Sequence, residues 1–283
     1  MNVFEFDNIN DGYIELVKRL LSKPDDYEKI TAEGCGKGKL VNKKSRYHLR
    51  NVHIIFKNPK EFNNYKVIDD KRSSTMNSYM LKERELFDNG IIDSNAMSKI
   101  SKIWKCIENP DNTINANYGY MVYKITDART KYDIPIYNNY RLEEQNENEE
   151  LDKKENKYAC DYMSQFEWCQ IKLKNNIHTL QAYMHFNRPK DQYLDNLDQP
   201  CTMFCQFMVV DNKLNFISYM RSNDVIYGTP YNLAYFKILQ ERMLEYLNSE
   251  CGYNLEFGYL HHNATSLHLY EDKIDIAKKI CGL

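Results

Sequence analysis

The sequence predicts a domain that mixes α-helices with β-strands, because two kinds of apolar spacing alternate along the chain. Apolar residues recur at helical spacing in residues 11–22, 76–88, 94–107 and from Asn232 onward. Short runs of β-forming residues occupy positions 51–59, 183–186, 203–210 and 214–220. A chain of 283 residues, 42% of them apolar, can bury a sizeable core.

Composition and charge narrow the class of protein. The formal net charge is -2, which does not suggest a broadly basic nucleic-acid binder, so no stable nucleic-acid partner is expected. No apolar run is long enough to span a membrane. The acidic, polar start of the chain lacks the order of a signal peptide. These features predict a cytoplasmic protein without a membrane partner.

The eight cysteines do not form a metal or disulfide pattern. None lies in a C-x-x-C pair, and their spacing suits neither zinc nor a compact disulfide scaffold, so no metal is expected. In a reducing cytosol most of them would be buried thiols. One reactive cysteine among them is the alternative of interest.

Two polar segments are expected to interrupt the fold. Residues 141–157 are highly charged and poor in apolar residues, which predicts a solvated insertion at about 127–160 within one domain spanning 1–283. Residues 32–46 contain closely spaced glycines and lysines but an incomplete phosphate-loop pattern, which favours a flexible loop.

A predicted β-hairpin brings a thiol and a guanidinium together. Asp211 and Asn212 separate two apolar runs and tolerate the backbone conformation of a tight turn. Folding about this turn pairs residues whose numbers add to about 423, which places Cys201 and Thr202 beside Ser222 and Arg221. A nearby arginine favours the thiolate, the reactive form of cysteine.

Several motifs in this order resemble the thymidylate synthase family, and within it the hydroxymethylase branch. They are SYMLKERELFDNG, KIW, NANYGY, PCTMFCQF, YMRSNDV, YGTPYN and SLHLY, and together they cover most of the chain outside the insertion. The resemblance implies an α/β (α+β) fold with a large mixed β-sheet flanked by helices. It also implies a homodimer formed through the sheet, and 5,10-methylenetetrahydrofolate as co-substrate.

The resemblance implies catalytic roles for residues spread along the chain. Cys201 corresponds to the nucleophile that attacks carbon 6 of a pyrimidine, and a thiol suits this role as nucleophile and leaving group. Glu83 corresponds to the glutamate that moves protons through water, with Glu85 as the alternative. Tyr118 corresponds to a tyrosine near the nucleophile, and Trp104 to a ring that packs on the folate.

Further positions match the family's ligand contacts. Arg221 and Ser222 correspond to the pair that holds the nucleotide phosphate, for which the arginine fork is well suited. Asp224 corresponds to a residue near the folate and the reacting ring, with both catalytic and cofactor-binding roles. His268 and Tyr270 correspond to the pair that reaches the sugar hydroxyl.

Asn232 bears on the identity of the base. In the family an amide here reads uracil, whereas cytosine-specific relatives carry aspartate. The sequence therefore predicts a uracil nucleotide, dUMP, and Asn232 is also expected at or near the N-cap of its helix. Gln206, in the strand after Cys201, is a further predicted substrate-binding residue.

The sequence departs from the family's pattern at the position where the family binds the phosphate. Where two arginines are expected to reach across the dimer, the chain has Leu180 and Gln181. Arg188 is too far along to substitute readily, while Arg46 could supply charge from the N-terminal loop. A nucleoside, a differently phosphorylated nucleotide and a degenerate site therefore stay open as alternatives.

Two further departures favour one product over another. Thr202 stands where thymidylate synthases usually have histidine, and the chain ends thirteen residues after Tyr270. Without a tail that excludes water, water can capture the transferred carbon, so hydroxymethylation to 5-hydroxymethyl-dUMP is expected. The alternatives are a thymidylate synthase that makes dTMP and a nucleotide-binding pseudoenzyme of the same fold.

Overall fold

The protein is described from a computed structural model, which covers residues 2–29, 45–124, 164–194 and 196–283. Its strands are β1 (Asn2–Phe6), β2 (Asp26–Glu28), β3 (Arg46–Phe56), β4 (Tyr183–His185), β5 (Thr202–Val210), β6 (Lys213–Met220), β7 (Asn223–Asp224) and β8 (Glu256–Tyr270). Its helices are α1 (Ile9–Ser22), α2 (Asp70–Asp88), α3 (Ser94–Ser98), α4 (Ile103–Cys106), α5 (Tyr118–Tyr123), α6 (Gln165–Asn175), α7 (Thr229–Ser249) and α8 (Ile274–Cys281). Within these ranges no helix is both long and apolar enough to cross a membrane.

The strands form one mixed sheet, which confirms the predicted fold class. Its order is β1-β3-β8-β6-β5-β4, with β2 added to β3 and β7 added to β8. β1 runs parallel to β3, and β6 and β7 run parallel to β8, whereas the remaining neighbours are antiparallel. The mixed pairing results from connections that cross from one part of the sheet to another.

The two faces of the sheet differ in their surroundings. Side chains alternate between faces along each strand, and those on the inner face, such as Phe207, Phe216 and Leu260, are fully buried beneath helices that include α1 and α7. The opposite face, here called the outer face, carries Tyr219 and Tyr259, which are exposed. Burial of the inner face supplies the main hydrophobic stabilisation of the domain.

The β5–β6 hairpin follows the predicted register over most of its length. Asp211 and Asn212 both have positive φ angles, 50° and 60°, as a two-residue hairpin turn requires. Pairs from Val210↔Lys213 to Phe204↔Tyr219 add to the expected 423. A bulge between Thr202 and Phe204 then shifts the pairing by one residue, so that Thr202 lies opposite Met220.

Several sequence-based expectations need correction. The single helix expected at residues 94–107 is two short helices, α3 and α4, because the chain turns between Lys99 and Lys102. Asn232 is not the N-cap of its helix: Gly228 holds that position and Pro230 lies within the first turn, where its missing N–H costs nothing. Arg46 belongs to β3 rather than to a loop.

Other expectations fall outside the described residues. The insertion predicted at about 127–160 lies within residues 125–163, which the structure does not describe. The same holds for residues 32–44 of the predicted glycine- and lysine-containing loop. The single-domain organisation therefore stays a prediction.

Candidate active site

The candidate nucleophile lies at the start of the hairpin. The backbone N–H of Arg221 donates a 2.9 Å hydrogen bond to the carbonyl oxygen of Cys201. The Cys201 Sγ lies 3.8 Å from the Ser222 Oγ, and Cys201 is half-buried rather than enclosed. The hairpin therefore joins the thiol to the Arg-Ser pair, as its register predicts, with the bulge changing the pairing by one position.

The Arg221 side chain fixes the segment that leads into Cys201. Its Nε donates to the carbonyl oxygen of Pro200 at 3.2 Å, and its Nη2 donates to that of Gln199 at 2.9 Å. The side chain is otherwise exposed. The Arg221 side chain therefore holds the approach to Cys201.

Tyr118 supports the other side of the nucleophile strand. Its hydroxyl accepts a 2.8 Å hydrogen bond from Thr202 Oγ1 and a weaker one, 3.3 Å, from Thr202 N. Burial raises the pKa of Tyr118, so the phenol stays protonated. Gly119 permits this placement, since a Cβ there would lie 1.8 Å from the carbonyl oxygen of Phe87 on α2.

Helix α2 turns a carboxyl group into the interior. Its buried stripe is Met76, Met80, Glu83 and Phe87, so Glu83 occupies a position that is otherwise apolar. Burial raises the Glu83 pKa from 4.5 to about 7, while a hydrogen bond from Tyr79 lowers it. Glu85 is exposed, so the structure favours Glu83 between the two alternatives.

Two ring nitrogens near the site are buried without a normal hydrogen bond. The Trp104 Nε1 has no partner with good geometry among the described residues, although the indole lies close enough to Tyr79 to lower the pKa of its phenol. The His268 Nδ1 also lacks a partner with good geometry in the described ranges, although the backbone of Ser266 lies close enough to raise the pKa of the ring. Orphaned buried donors and acceptors are expected where a ligand completes the bonding.

Asp224 links the end of β7 to the start of α7. Its Oδ1 accepts hydrogen bonds from the backbone N–H groups of Ile226 at 2.7 Å and Tyr227 at 3.2 Å. Burial raises its pKa to about 6, and these two bonds and the charge of Lys273 oppose the rise. Strand β7 pairs Asp224 with His268, so the structure brings these two predicted site residues together.

Asn232 is held by a neighbour that sequence reasoning did not identify. Its Nδ2 lies 3.5 Å from the sulfur of Met220, the residue paired with Thr202. A thioether accepts but does not donate, which turns the amide nitrogen towards Met220. Asn232 is therefore linked through Met220 to Thr202, the residue that follows Cys201.

A buried polar chain lies behind Met220. Asn223 Nδ2 donates to the Met220 sulfur at 3.0 Å and to His262 Nε2 at 2.8 Å. Because His262 Nε2 accepts, its proton lies on Nδ1, which donates to Ser218 Oγ at 2.8 Å. Burial lowers the His262 pKa to about 4, so the ring is neutral. His262 is therefore an interior residue.

The predicted sugar-reading pair lies at the end of β8. The rings of His268 and Tyr270 are 4.9 Å apart, and His48 of β3 packs 6.0 Å from His268. Burial and the nearby charge of Arg46 lower the His268 pKa to about 3, which keeps the ring neutral. His48 was not among the predicted residues, because nothing in its sequence context marks it.

Two predicted substrate contacts have other partners. Arg46 Nε and Nη2 both donate to Glu28 Oε2, at 3.1 and 2.9 Å, so its guanidinium is already paired with a carboxylate. Gln206 lies on the outer face opposite Tyr183, and its amide donates to the carbonyl oxygen of Leu180 at 2.8 Å. Within this chain, the Gln206 amide is therefore engaged by the backbone at Leu180.

At the position of the absent arginine pair, the described part of the chain has an apolar side chain and an amide. Leu180 is 68% exposed, and Lys172 Nζ donates to Gln181 Oε1 at 2.8 Å. Arg188 forms two hydrogen bonds with the buried Asp191, at 2.8 and 3.1 Å. Arg188 is therefore committed to its own loop, which agrees with the expectation that it does not replace the pair.

Comparison with known proteins identifies the family. The model of the family described as Thymidylate synthase matches residues 11–282. The chain is 25% identical to the deoxycytidylate 5-hydroxymethyltransferase of Enterobacteria phage T4 over 174 residues, 60% of this chain and 56% of that protein. It thus spans little more than half the length of this curated relative.

Two further similarities agree with that family. The chain is 35% identical over 80 residues to the thymidylate synthase of Buchnera aphidicola subsp. Schizaphis graminum, 28% of each protein. The thermostable thymidylate synthase A from Bacillus subtilis has a similar fold, with a TM-score of 0.64 and 18% identity over 97% of this chain and 84% of that one. The family match over nearly the whole chain shows that this protein belongs to the thymidylate synthase family.

Proposed function

We propose that the protein transfers a one-carbon unit from 5,10-methylenetetrahydrofolate to carbon 5 of dUMP, and that its product is 5-hydroxymethyl-dUMP. The observation that carries this proposal is the gathering of Cys201, Arg221, Ser222 and Asn232 around the Thr202–Met220 pair. This arrangement offers a nucleophile, an anion contact and a base-reading amide in one place.

The chemistry begins with the thiol. Cys201 attacks carbon 6 of the pyrimidine, with the Arg221 charge favouring the thiolate form. Attack makes carbon 5 electron-rich, and the methylene carbon of the folate bonds there. Loss of the carbon 5 proton and cleavage of the bond between this carbon and the folate nitrogen release tetrahydrofolate and leave an exocyclic methylene. Water adds to that methylene, and departure of the Cys201 thiolate from carbon 6 gives the hydroxymethyl product. Glu83, whose pKa of about 7 lets it hold or release a proton near neutrality, moves protons to and from the ring.

The remaining side chains would bind and orient the two substrates. Asn232 presents its amide to the base, and its nitrogen is oriented by Met220. The His268 Nδ1, which has no partner with good geometry among the described residues, is suited to a sugar hydroxyl. Trp104 offers a flat apolar ring, and Asp224 a carboxylate, for the folate.

Asparagine at position 232 supports uracil as the base. An amide can accept from the ring N–H of uracil and donate to its carbonyl, whereas cytosine offers the opposite pattern at these two atoms. The phage relative is named for deoxycytidylate, so the proposed base differs from the one in that name.

Phosphate binding is supported by two neighbouring residues. Arg221 and Ser222 are in position to contact an anion, while Arg46 and Arg188 are paired with carboxylates. A substrate with one phosphate needs fewer charges than an extended phosphate chain, which supports the monophosphate over a triphosphate. A nucleoside remains the alternative substrate for the assay.

Hydroxymethylation is supported by Thr202 and by the length of the match. Thr202 places a hydroxyl next to the nucleophile, and the phage hydroxymethyltransferase matches 60% of the chain against 28% for the thymidylate synthase. The higher identity of the shorter match favours the second candidate, methylation to dTMP. A pseudoenzyme is disfavoured because the buried Glu83 and the half-buried Cys201 are both retained.

We also propose that the outer face pairs with a second copy of the chain. Tyr183, Tyr219 and Tyr259 are exposed on it, together with partly buried apolar neighbours. A second copy would cover this aromatic surface and bring Leu180, which is exposed nearby, towards the partner.

The test is incubation of the purified protein with dUMP and methylenetetrahydrofolate, followed by mass measurement of the product and an absorbance assay for dihydrofolate. A hydroxymethyl product without dihydrofolate supports the proposal, and a methyl product with dihydrofolate contradicts it in favour of methylation. Cys201→Ala should abolish the product, whereas Cys205→Ala, which changes a fully buried thiol in the same strand, should retain it.

If dUMP gives no product, deoxyuridine, UMP and dCMP are assayed next. Product from one of these would replace dUMP as the substrate. If a correctly folded protein formed no product from any of them, the result would favour the alternative that it is a nucleotide-binding pseudoenzyme.

A further inference from the structure

A tyrosine lies one helical turn before the candidate proton-handling carboxyl. Tyr79 and Glu83 are both on α2, and their spacing of four residues places them on the same side of the helix. The Tyr79 hydroxyl donates a 2.8 Å hydrogen bond to Glu83 Oε1. Among the described residues, no other hydrogen bond to this carboxyl group occurs.

Tyr79 is itself held in place by rings from two other elements. Its ring centroid lies 4.4 Å from that of Tyr231, in the first turn of α7. The Trp104 indole of α4 lies beside its hydroxyl. Because the phenol is fixed from both sides, its hydrogen bond can fix the rotamer of Glu83 as well.

We propose that Tyr79 is a positioning residue for Glu83: it holds Oε1 and so leaves Oε2 to face the pyrimidine and its water. This inference rests on the proposed role of Glu83 in proton transfer. A charged carboxylate accepts this bond more strongly than a neutral carboxyl does, so Tyr79 also favours the ionised form. The Tyr79 phenol thus sets both the orientation of the Glu83 carboxyl group and its affinity for a proton.

Few titratable side chains among the described residues face Glu83 and could influence its charge. The titratable side chains that face it are Tyr79 on its own helix and Tyr231 on α7. Burial raises the pKa of both phenols, that of Tyr231 to about 12, so neither ionises near neutrality. Arg72 lies beside Tyr231 and lowers the pKa of that phenol rather than of Glu83.

The test compares Tyr79→Phe with the wild-type protein by carbon-13 NMR of glutamate side chains, using Glu83→Gln to assign the signal. Loss of the donor should raise the Glu83 pKa by about one unit. The pH profile of product formation should shift upward by the same amount, with kcat changing more than KM. Tyr231→Phe, which removes a phenol not bonded to Glu83, should leave the carboxyl pKa unchanged.

An unchanged Glu83 pKa and an unchanged pH profile in Tyr79→Phe would overturn the inference. If that variant folds poorly, 3-fluorotyrosine at position 79 provides a second test, because its more acidic phenol should lower the Glu83 pKa. The NMR titration reads the carboxyl without catalysis. An inactive wild-type protein whose Glu83 pKa responds to Tyr79→Phe would therefore contradict the proposed function and still support the inference.

Discussion

The buried carboxyl of Glu83 predicts a stability that depends on pH. Burial raises its pKa from 4.5 to about 7 in the folded chain. Between these values the folded chain holds a proton that the unfolded chain has released. The resulting stabilisation is complete at low pH and is lost as the pH rises through about 7. A shift of about 2.5 units corresponds to about 3 kcal/mol.

Glu83→Gln should remove this dependence. Glutamine stays neutral and can still accept the hydrogen bond from Tyr79, so it avoids the cost of a buried charge. The variant should match the wild-type protein at about pH 4 and exceed its free energy of unfolding by about 3 kcal/mol at about pH 8.5. It should also lose catalytic activity, so that stability rises as function falls.

Urea unfolding at the two pH values measures the difference. Glu85→Gln is the matched control, because Glu85 is exposed on the same helix and should show no pH-dependent change relative to the wild-type protein. If Glu83→Gln differed from the wild-type protein by the same amount at both pH values, or were less stable at about pH 8.5, the proposed burial of a titrating carboxyl would be refuted.

Three further predictions concern the base and the assembly. Asn232→Asp should shift the ratio of kcat/KM for uracil and cytosine nucleotides by about 100-fold towards cytosine, and an unchanged ratio would exclude Asn232 from base reading. Met220→Leu removes the sulfur that orients the Asn232 amide, so kcat/KM for dUMP should fall about fivefold, corresponding to about 1 kcal/mol; full activity would show that the thioether contact is unimportant. Tyr219→Glu places a charge on the outer face and should convert a dimer into a monomer in sedimentation experiments, whereas a wild-type monomer would contradict the homodimer.

The sequence predicts the hairpin well because its register has a local cause. Asp211 and Asn212 adopt positive φ angles, and the two-residue turn they form fixes the pairs that follow. The proximity of Cys201 to Arg221 follows from that register. The one-residue shift at Thr202 could not be predicted, because a bulge depends on packing at the end of the sheet.

Other features depend on side-chain directions that spacing alone does not give. The hydrogen bond between Tyr79 and Glu83 requires a particular rotamer of each residue, and helical spacing shows only that they share a side of α2. The position of Gln206 on the outer face was readable in principle, since its neighbours Cys205 and Phe207 are apolar and point inward.

The bulge between Thr202 and Phe204 divides the hairpin into a stretch that packs in the core and a stretch that holds the nucleophile. From the bulge to the turn, packing in the core determines which side chains fit. On the other side of the bulge, the contacts between Cys201, Arg221 and Ser222 determine which side chains fit. Strand pairing counted back from the turn is therefore one residue out at the nucleophile, and the Cys201–Arg221 backbone bond is the landmark that corrects it.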